Sequence, residues 1–437
     1  MAHLLVAEQD IGNAADSGRK TADPGNSRAV WRTSASLPLP DGPIAKARLE
    51  STANRLNFVD VARAYAIVLA LFAHSMVTFG GFSSLGDFDS LAKLFIRFAT
   101  PMFVFMFGIM LELVYVKRAR LNGVQSVVRR LVLRSAQCYA GYQLTVVASF
   151  LGGYLTAGEA SRALLLLDTS HFGNILRFYS IALLLAIPLI RARLHWGVRV
   201  YGLLLILLWI VPKPLEGTLA AASFGSYESL AGLLFGIGAA PVGPSVWHGM
   251  TFVLAGMLVG TSLTGWNAPG FRLRAFYASS AVVMAITALV VLVLVRESSP
   301  IDVARNFANL RYRTQNHIGY YAVGILGSSF MLVILSRVVP LETPLADWAA
   351  VPLTLGTSSL LSFTLGNIVL NLLPAPAIAL GATHPVLASL ALILCVMALV
   401  APPVVRQTYR HACAYPIRLR HPGHGDYEPA DIDERAR

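Results

Sequence analysis

Apolar residues occur along the chain in long runs, separated by short segments in which polar and charged residues are concentrated. Many of these runs reach or approach the eighteen or so residues that an α-helix needs to cross a bilayer. The runs are continuous and do not alternate with period two, so they favour membrane-spanning helices over a β-barrel. The pattern predicts ten spans, at 58–80, 92–115, 131–152, 173–190, 198–212, 247–263, 276–295, 317–336, 350–373 and 384–404. We therefore expect an all-α, polytopic membrane protein with about ten transmembrane helices.

One segment leaves the number of spans open. Residues 228–243 are apolar, but they are rich in glycine and interrupted by proline. Such a segment is typical of an eleventh span or of a re-entrant segment buried in protein. An eleventh span would invert the second half of the chain and place its basic loops outside, so the ten-span scheme is preferred.

Polar segments flank the apolar region. Residues 1–57 are rich in Ala, Ser, Pro and Gly, are mixed in charge, and contain no apolar stretch of the kind found in a signal peptide. They are predicted to form a disordered cytoplasmic tail. The sequence thus divides into this tail, a membrane domain at 58–405 and a cytoplasmic C-terminal tail at 406–437.

The composition supports a membrane protein. Of 437 residues, 55% are hydrophobic and 13% are charged, against about 25% charged in ordinary soluble domains. The net charge of +12 lies largely in every second loop, which is the positive-inside pattern rather than a nucleic-acid patch. It predicts cytoplasmic N- and C-termini. Loop 296–316 is an exception, because it carries Arg296, Arg305, Arg311 and Arg313 on the predicted outer side.

The cysteines and histidines indicate neither a disulfide framework nor a metal centre. Cys138, Cys395 and Cys413 have no paired spacing. The histidines lie in different predicted elements, with no spacing that would pre-arrange metal ligands. The sequence therefore predicts no metal.

Candidate chemistry is concentrated in the first predicted span, which contains Asp60, Arg63 and His74. Ionisable residues are expensive to bury in a membrane and indicate function by default. At 100° per residue, eleven residues bring Arg63 and His74 to within roughly 20° of one helix face, about 16 Å apart along the axis. Asp60 lies three residues before Arg63, close enough to pair with it. The alternatives are a structural histidine and an ion pair that only fixes helix packing.

Four segments carry a resemblance to a known family. Arg63, ten residues and His74 resemble the first motif of the transmembrane acyltransferase-3 superfamily, with Ala64 where glycine is usual. Three further segments resemble its OpgC-like branch, the succinyltransferases of osmoregulated periplasmic glucans. They are Ala99–Gly108, similar to FVFxxG; Trp247–Gly256, similar to WQxxFVLG with His248 in place of Gln; and Leu355–Phe363, similar to LGxxSLxxF.

The resemblance implies a ten-span enzyme that takes an acyl group from cytoplasmic acyl-coenzyme A. We therefore expect an integral membrane O-acyltransferase that uses succinyl-CoA or acetyl-CoA. The acceptor would be a hydroxyl of an extracytoplasmic glycan, such as a periplasmic glucan or an exopolysaccharide. His74 would act as general base or as acyl carrier, with Arg63 and Asp60 beside it as catalytic candidates.

Further residues are candidates for binding the two substrates. Arg129, Arg130 and Arg134 form a basic cluster suited to the phosphates of coenzyme A, although such a cluster also orients a span. The acceptor-side candidates share a position in or near the outer ends of spans, where interfacial residues are also common. They are Arg97, His171, Arg177, Tyr179, Trp247, His248 and His317.

Two other classes of protein remain open. Buried charges also mark the substrate pathways of transporters and flippases, although the chain shows no internal repeat of the kind common in transporters. A non-catalytic partner in polysaccharide assembly is the third possibility. Membrane lipids and a glycan or glycolipid are the expected partners, with no nucleic acid, and the sequence leaves the oligomeric state open.

Overall fold

The computed structural model describes residues 56–211, 225–237, 244–266, 273–339, 355–356 and 358–412, with the side chains of Asp87, Ser226 and residues 401–412 excepted. The described residues are 84% helical and contain no β-strand. The predicted all-α class is therefore confirmed for this part of the chain. Of the two predicted tails, residues 1–55 and 413–437 lie outside the described residues.

The first half of the described chain contains eight helices, of which the second to the fourth form one long, nearly continuous hydrophobic element, Asp89–Asn122. In chain order they are α1 (Asn57–Thr78), α2 (Asp89–Ile96), α3 (Ala99–Met110), α4 (Lys117–Asn122), α5 (Gln125–Leu151), α6 (Ala157–Leu164), α7 (Asn174–Trp196) and α8 (Arg199–Ile210). A π-helical turn, Leu111–Val116, joins α3 to α4.

The second half continues with helices of very different length. They are α9 (Glu228–Phe235), α10 (Val246–Thr261), α11 (Arg274–Glu297), α12 (Pro300–Ala308), α13 (Arg311–Thr314), α14 (Ile318–Val338), α15 (Ser359–Asn371), α16 (Ala375–Thr383) and α17 (Pro385–Ala412).

Each of the ten predicted spans falls on a helix in the described ranges. Fewer than ten of these helices, however, are both long enough and apolar enough to cross a bilayer. Five are long and apolar enough: α1, the element Asp89–Asn122, α7, α11 and α14. The pair α15 and α16, bent by 100°, makes a sixth if it is one broken span. The prediction of ten spans is thus not confirmed.

Most of the remaining predicted spans fall short for two physical reasons. The apolar helix α8 has 12 residues, or about 18 Å, which is less than the 30 Å hydrocarbon core. Helix α5 has 27 residues, but its polar side chains, including Arg134, Gln137 and Gln143, reduce its hydrophobicity. Helix α10 is apolar but has only 16 residues. In α17 the side chains are described for Pro385–Val400, and this part of the helix is apolar.

The possible eleventh span contains a short helix. Helix α9 has 8 residues, about 12 Å, and ends at Gly236 in the left-handed conformation with φ 77°. A helix of that length does not cross a bilayer. Residues 238–243 of the predicted segment lie outside the described residues.

Helix α1 is surrounded by other helices. It packs against α3, α14, α15 and α17. Its buried side chains include Phe58, Ala62, Ile67 and Leu71. The element that carries Asp60, Arg63 and His74 is therefore held on several sides by protein.

Glycines allow helices to cross closely in the core of the protein. A Cβ added to Gly256 of α10 would lie 2.0 Å from the carbonyl oxygen of Phe105 in α3, and one added to Gly108 would lie 2.1 Å from that of Val253. A Cβ at Gly356 would likewise lie 2.2 Å from the carbonyl oxygen of Asp60. Small residues at such crossings are typical of helix packing in membranes.

A buried ionic cluster joins three elements at the π-helical turn. The carboxylate of Glu112 accepts hydrogen bonds from Arg193 Nη2 at 2.8 Å and from Arg193 Nε at 3.1 Å. The hydroxyl of Tyr201 donates to the other oxygen of Glu112. The carboxylate is fully buried, so the cluster ties α7 and α8 to the turn after α3.

Candidate active site

A cavity of about 200 Å³ lies beside the C-terminal half of α1. Its apolar wall includes Phe103, Phe172, Phe178 and Phe363. Its polar lining residues are His74, Arg97, Thr100, Asn174, Arg177 and Arg313. The cavity thus brings together α1, α3, the start of α7, α13 and α15, with His74 on its surface.

The orientation of His74 is fixed through α15. Its Nδ1 lies 2.9 Å from Oδ1 of Asn367, and Nδ2 of Asn367 donates to the carbonyl oxygen of Phe172 at 3.2 Å. Because that second bond requires the amide nitrogen to face the carbonyl, the amide oxygen faces the histidine. Nδ1 must then carry a proton, so in the neutral ring Nε2 holds the lone pair.

Aromatic rings hold the imidazole in place. Phe172 stacks on His74 with centroids 4.3 Å apart and planes 13° apart, and Phe363 meets it edge-on at 5.8 Å. The backbone of Phe172 is left-handed, with φ 61°, which is a costly conformation for a bulky residue. Asn367 and Asn371 of α15 hold the carbonyls of Phe172 and His171. The strained turn is therefore fixed by two side chains of the same helix.

Three guanidinium groups face the same cavity as His74. Arg97 lies at the bend between α2 and α3, and its Nε donates to the carbonyl oxygen of Ala308 at 3.1 Å. Arg177 is 1% exposed, and its Nη1 donates to the carbonyl oxygen of Asp168 at 2.7 Å. Arg313 belongs to α13. The charges of Arg97 and Arg313 act on His74.

Arg63 lies at the other end of the polar face of α1. Its Nη1 lies 3.4 Å from Oδ1 of Asp60, as the spacing predicts, and its Nη2 donates to Oγ of Ser359 at 2.5 Å. Ile67 and Leu71 separate Arg63 from the cavity, and both are completely buried. The polar face therefore has two separate ends rather than one continuous open path.

The predicted coenzyme A cluster lies at the Arg63 end. Arg129, Arg130 and Arg134 are exposed on α5, and Nη1 of Arg134 donates to Oε1 of Gln137 at 2.9 Å. The charges of Arg63, Arg130 and Arg134 act together on Tyr115 of the π-helical turn. Arg63 and the basic start of α5 therefore lie within electrostatic range of the same turn.

Four of the predicted acceptor-side residues lie outside the cavity lining. Their side chains instead form hydrogen bonds with the backbone or the ends of helices. Tyr179 donates to the carbonyl of Phe103 at 2.8 Å, and Trp247 Nε1 donates to that of Leu208 at 3.1 Å. Nδ1 of His248 lies 2.9 Å from Oγ of Ser245 at the start of α10. His317 begins α14, where its Nδ1 accepts from the N–H of Gly319 at 3.1 Å.

His171 lies next to the cavity, in the turn that precedes α7. Its ring stacks on Tyr154, with centroids 4.5 Å apart, and contacts the ring of Phe172. Burial lowers the pKa of His171, so its ring is neutral at pH 7. Of the acceptor-side candidates, Arg97 and Arg177 line the cavity and His171 adjoins it.

Several residues in or beside the cavity are not among the candidates that the sequence predicts. Asn367 and Asn371 are polar residues four apart in an apolar helix, which is a signal for an inward-facing polar edge. In the sequence Arg313 stands out only as an exception to the positive-inside pattern, and Asn174 and Phe172 carry no signal. Among the residues that the structure describes, no group of three or more His, Cys, Asp or Glu is arranged to hold a metal.

The comparison with protein families supports a membrane transferase. The profile of the heparan-alpha-glucosaminide N-acetyltransferase catalytic domain matches residues 55–275, which is half of the chain. The match covers α1 and the cavity residues of α3 and α7, whereas Arg313 and Asn367 lie beyond it. No curated protein matches the chain. The motifs resemble a different group, so membership of the acyltransferase-3 superfamily and its OpgC-like branch stays a prediction. The chain belongs to the heparan-alpha-glucosaminide N-acetyltransferase catalytic-domain family, an acyltransferase-like transmembrane family.

Proposed function

We propose that this chain is an integral membrane O-acyltransferase of a bacterial inner membrane. It would move an acyl group, succinyl or acetyl, from cytoplasmic acyl-coenzyme A to a hydroxyl of an extracytoplasmic glycan, such as a periplasmic glucan or an exopolysaccharide. The observation that carries the proposal is the anchored imidazole of His74 on the cavity wall. With Nδ1 bonded to Asn367, Nε2 is available to accept a proton or an acyl group.

Two routes are compatible with this geometry. In the first, Nε2 of His74 removes the proton of the acceptor hydroxyl, whose oxygen attacks the thioester carbonyl. The C–S bond breaks, and the thiolate of coenzyme A takes the proton from the imidazolium. In the second, Nε2 attacks the thioester and releases the thiolate. The acceptor hydroxyl then displaces the acyl group from the ring, and its proton passes to the thiolate. Both routes yield one ester and one thiol.

The donor would bind at the Arg63 end of α1. Arg130 and Arg134 supply guanidinium groups for the phosphates of coenzyme A, and Arg63 supplies a fixed charge near the start of the helix. The acyl end must then pass the aromatic layer in which Phe103 stacks on Phe363 with centroids 6.2 Å apart. The proposal therefore requires this layer to part when the donor binds.

The acceptor would bind at the opposite end, in the cavity. Arg97 and Arg177 line it, and the stacked rings of Tyr154 and His171 adjoin it. Aromatic faces of this kind bury the apolar side of a ring while polar neighbours orient its substituents. In this proposal residues 58–405 form the membrane domain, and both tails are cytoplasmic.

The family description favours a second acceptor chemistry. Its name describes acetyl transfer to the nitrogen of a glucosaminide. The same histidine serves that reaction, because the amine must lose a proton during acyl transfer. An amino sugar is therefore the second candidate acceptor, with acetyl-CoA as the donor.

The test is thiol release by the purified full-length chain in lipid nanodiscs. Acetyl-CoA or succinyl-CoA is supplied with a glucan or an amino sugar, and the product is examined by mass spectrometry. We expect acceptor-dependent thiol release and a product heavier by one acyl group. Mild alkali removes the group from an ester but not from an amide, so it distinguishes the two acceptors. A transporter or a non-catalytic partner would release no thiol, and that result would contradict the proposal.

A further inference from the structure

We propose that the cavity beside His74 binds an anionic group carried by the acceptor glycan, as a carboxylate, phosphate or sulfate close to the reacting hydroxyl. This inference rests on the proposed function, which it extends by naming the chemical class of the acceptor. It is derived from the charges and the unpartnered polar atoms around the cavity.

The cavity carries a strong excess of positive charge. Arg97, Arg177 and Arg313 contribute to its lining, and none of the described lining residues is acidic. The hydrogen bonds of Arg97 and Arg177 go to the backbone carbonyls of Ala308 and Asp168. A carbonyl satisfies a donor without neutralising its charge, so these guanidinium groups still favour an anion.

The two carboxylates that act on Arg97 and Arg177 have other partners. Asp89 pairs with Lys93 at 2.6 Å, and Asp168 pairs with Arg162 at 3.5 Å through its side chain. Both act on the arginines only at longer range. The charge of the cavity is therefore not balanced by these two acids.

Two buried polar atoms at the cavity have no hydrogen-bond partner. Nε of Arg177 and Oδ1 of Asn174 are both buried and unsatisfied, and both residues line the cavity. An unsatisfied buried polar atom is costly unless a ligand completes it. The guanidinium N–H suits an oxyanion, and the amide oxygen suits a sugar hydroxyl.

The start of α7 adds to the same field. Asn174 is the first residue of this 23-residue helix, and Gly173 before it supplies no capping side chain. Asn174 and Ile175 line the cavity, so the positive end of the helix dipole lies at its wall. Anions are favoured at such an end.

Electrostatic repulsion within the cavity points the same way. The charge of Arg313 acts unfavourably on that of Arg97, and a bound oxyanion between them would relieve this repulsion. The volume of about 200 Å³ lies below the roughly 300–1,000 Å³ of a drug-sized site. The cavity therefore suits one small charged unit rather than a lipid chain.

The position of the arginines favours the acceptor as the source of the anion. Arg97, Arg177 and Arg313 lie on the cavity side of the Phe103–Phe363 layer. Arg63 lies outside the cavity, and it acts with Arg130 and Arg134 on Tyr115. These groups form the proposed donor site. Two separate basic regions on one enzyme fit two substrates that each carry negative charge.

The experiment compares matched glycosides on the purified full-length chain. Methyl glucuronide and methyl glucoside differ only at C6, and glucose 6-phosphate supplies a phosphate at that position. Their dissociation constants are measured by calorimetry for the wild type and for Arg97→Gln, Arg313→Gln and Arg311→Gln. Arg311 is exposed on α13, two residues from Arg313, and does not line the cavity, so it serves as the matched control.

We expect an anionic probe to bind at least tenfold more tightly than the glucoside, because charge-assisted hydrogen bonds are about twice as strong as neutral ones. Arg97→Gln and Arg313→Gln should reduce this preference to less than threefold, and Arg311→Gln should preserve it. Equal affinities, no binding of either anionic probe, or a preference that survives both cavity substitutions would overturn the inference.

A donor comparison distinguishes the source of the charge. If succinyl-CoA were preferred over butyryl-CoA and the two cavity substitutions removed that preference, the anion would belong to the acyl group and the assignment to the acceptor would be wrong. Failure of the proposed function gives a different result: no thiol release from any acyl-CoA, with the binding preference for anionic glycosides intact.

Discussion

At the scale of single residues, the chemistry of His74 depends on Asn367. The amide oxygen accepts from Nδ1 at 2.9 Å, and the amide nitrogen holds the Phe172 carbonyl at 3.2 Å. The two bonds together fix which ring nitrogen is protonated and where the stacking ring of Phe172 lies. In the proposed mechanism Asn367 is therefore a positioning residue, because it would act through the histidine.

Replacement of this residue tests its role. Asn367→Ala should lower kcat about tenfold or more with little change in KM, because it frees the ring and its tautomer without removing substrate contacts. Asn371→Ala is the matched control. It removes an equally buried asparagine of α15 that bonds the neighbouring His171 carbonyl at 3.4 Å, and it should leave kcat within about threefold. Steady-state kinetics that show equal losses in both variants would reduce Asn367 to a structural role.

Part of this site follows from the sequence alone. The i, i+3 spacing of Asp60 and Arg63 and the helical period that aligns Arg63 with His74 are local properties, so the pattern predicts them. The bond from His74 to Asn367 joins residues 293 positions apart, and no periodicity in one sequence encodes such a distance. The hydrogen bonds of Tyr179, Trp247, His248 and His317 to backbone and cap atoms depend on tertiary packing in the same way.

At the scale of elements, α15 connects the two ends of the polar face of α1. Ser359 accepts from Arg63, Asn367 bonds His74, and Phe363 lies between them and contacts the imidazole edge-on. Ser359 and Phe363 are defined positions of the LGxxSLxxF-like segment. The resemblance to the LGxxSLxxF segment of the OpgC-like branch therefore includes two residues that contact Arg63 and His74.

The crossing of α3 and α10 gives a prediction about stability. Gly256→Ala should destabilise the protein by roughly 1–3 kcal/mol, because the new Cβ would lie 2.0 Å from the Phe105 carbonyl oxygen. Gly202→Ala in α8 is the control, since nothing lies within 4 Å of its added Cβ and alanine is the better helix former. Thermal unfolding in detergent should show a lower Tm for the first variant only. An unchanged Tm for Gly256→Ala would show that the helices separate freely at this point.

At the scale of the whole molecule, the cavity constrains the topology. Phe172 precedes α7 and Arg313 follows α11, yet both line one cavity. In the proposed orientation the cavity opens on the outer side, so an even number of crossings separates them. Helices α7 and α11 supply two. The ten-span prediction also counts α8 and α10 and makes four, whereas an additional crossing at α9 would make the number odd. The arginines of loop 296–316 conflict with the positive-inside pattern, and one of them, Arg313, lines the cavity.

Cysteine labelling tests the predicted orientation. In a background with Cys395→Ser and Cys413→Ser, Ser161→Cys on the exposed face of α6 should react with an impermeant maleimide in intact spheroplasts. Gln125→Cys at the exposed start of α5 should react only after the membrane is opened. The reason is that α6 lies on the cavity side and the start of α5 lies at the Arg63 end. Equal labelling of both positions in intact spheroplasts would contradict the orientation.

The most direct test of the account is the rate of acyl transfer by His74→Ala, measured as thiol release from acyl-CoA in the presence of the acceptor. His195→Ala, a substitution of an exposed histidine at the end of α7, is the control and should retain the wild-type rate. The account predicts that His74→Ala yields a protein with unchanged Tm and a rate lower by on the order of 10²–10⁴-fold, the contribution of a positioned acid–base group. A correctly folded His74→Ala variant that transfers the acyl group at nearly the wild-type rate would contradict it.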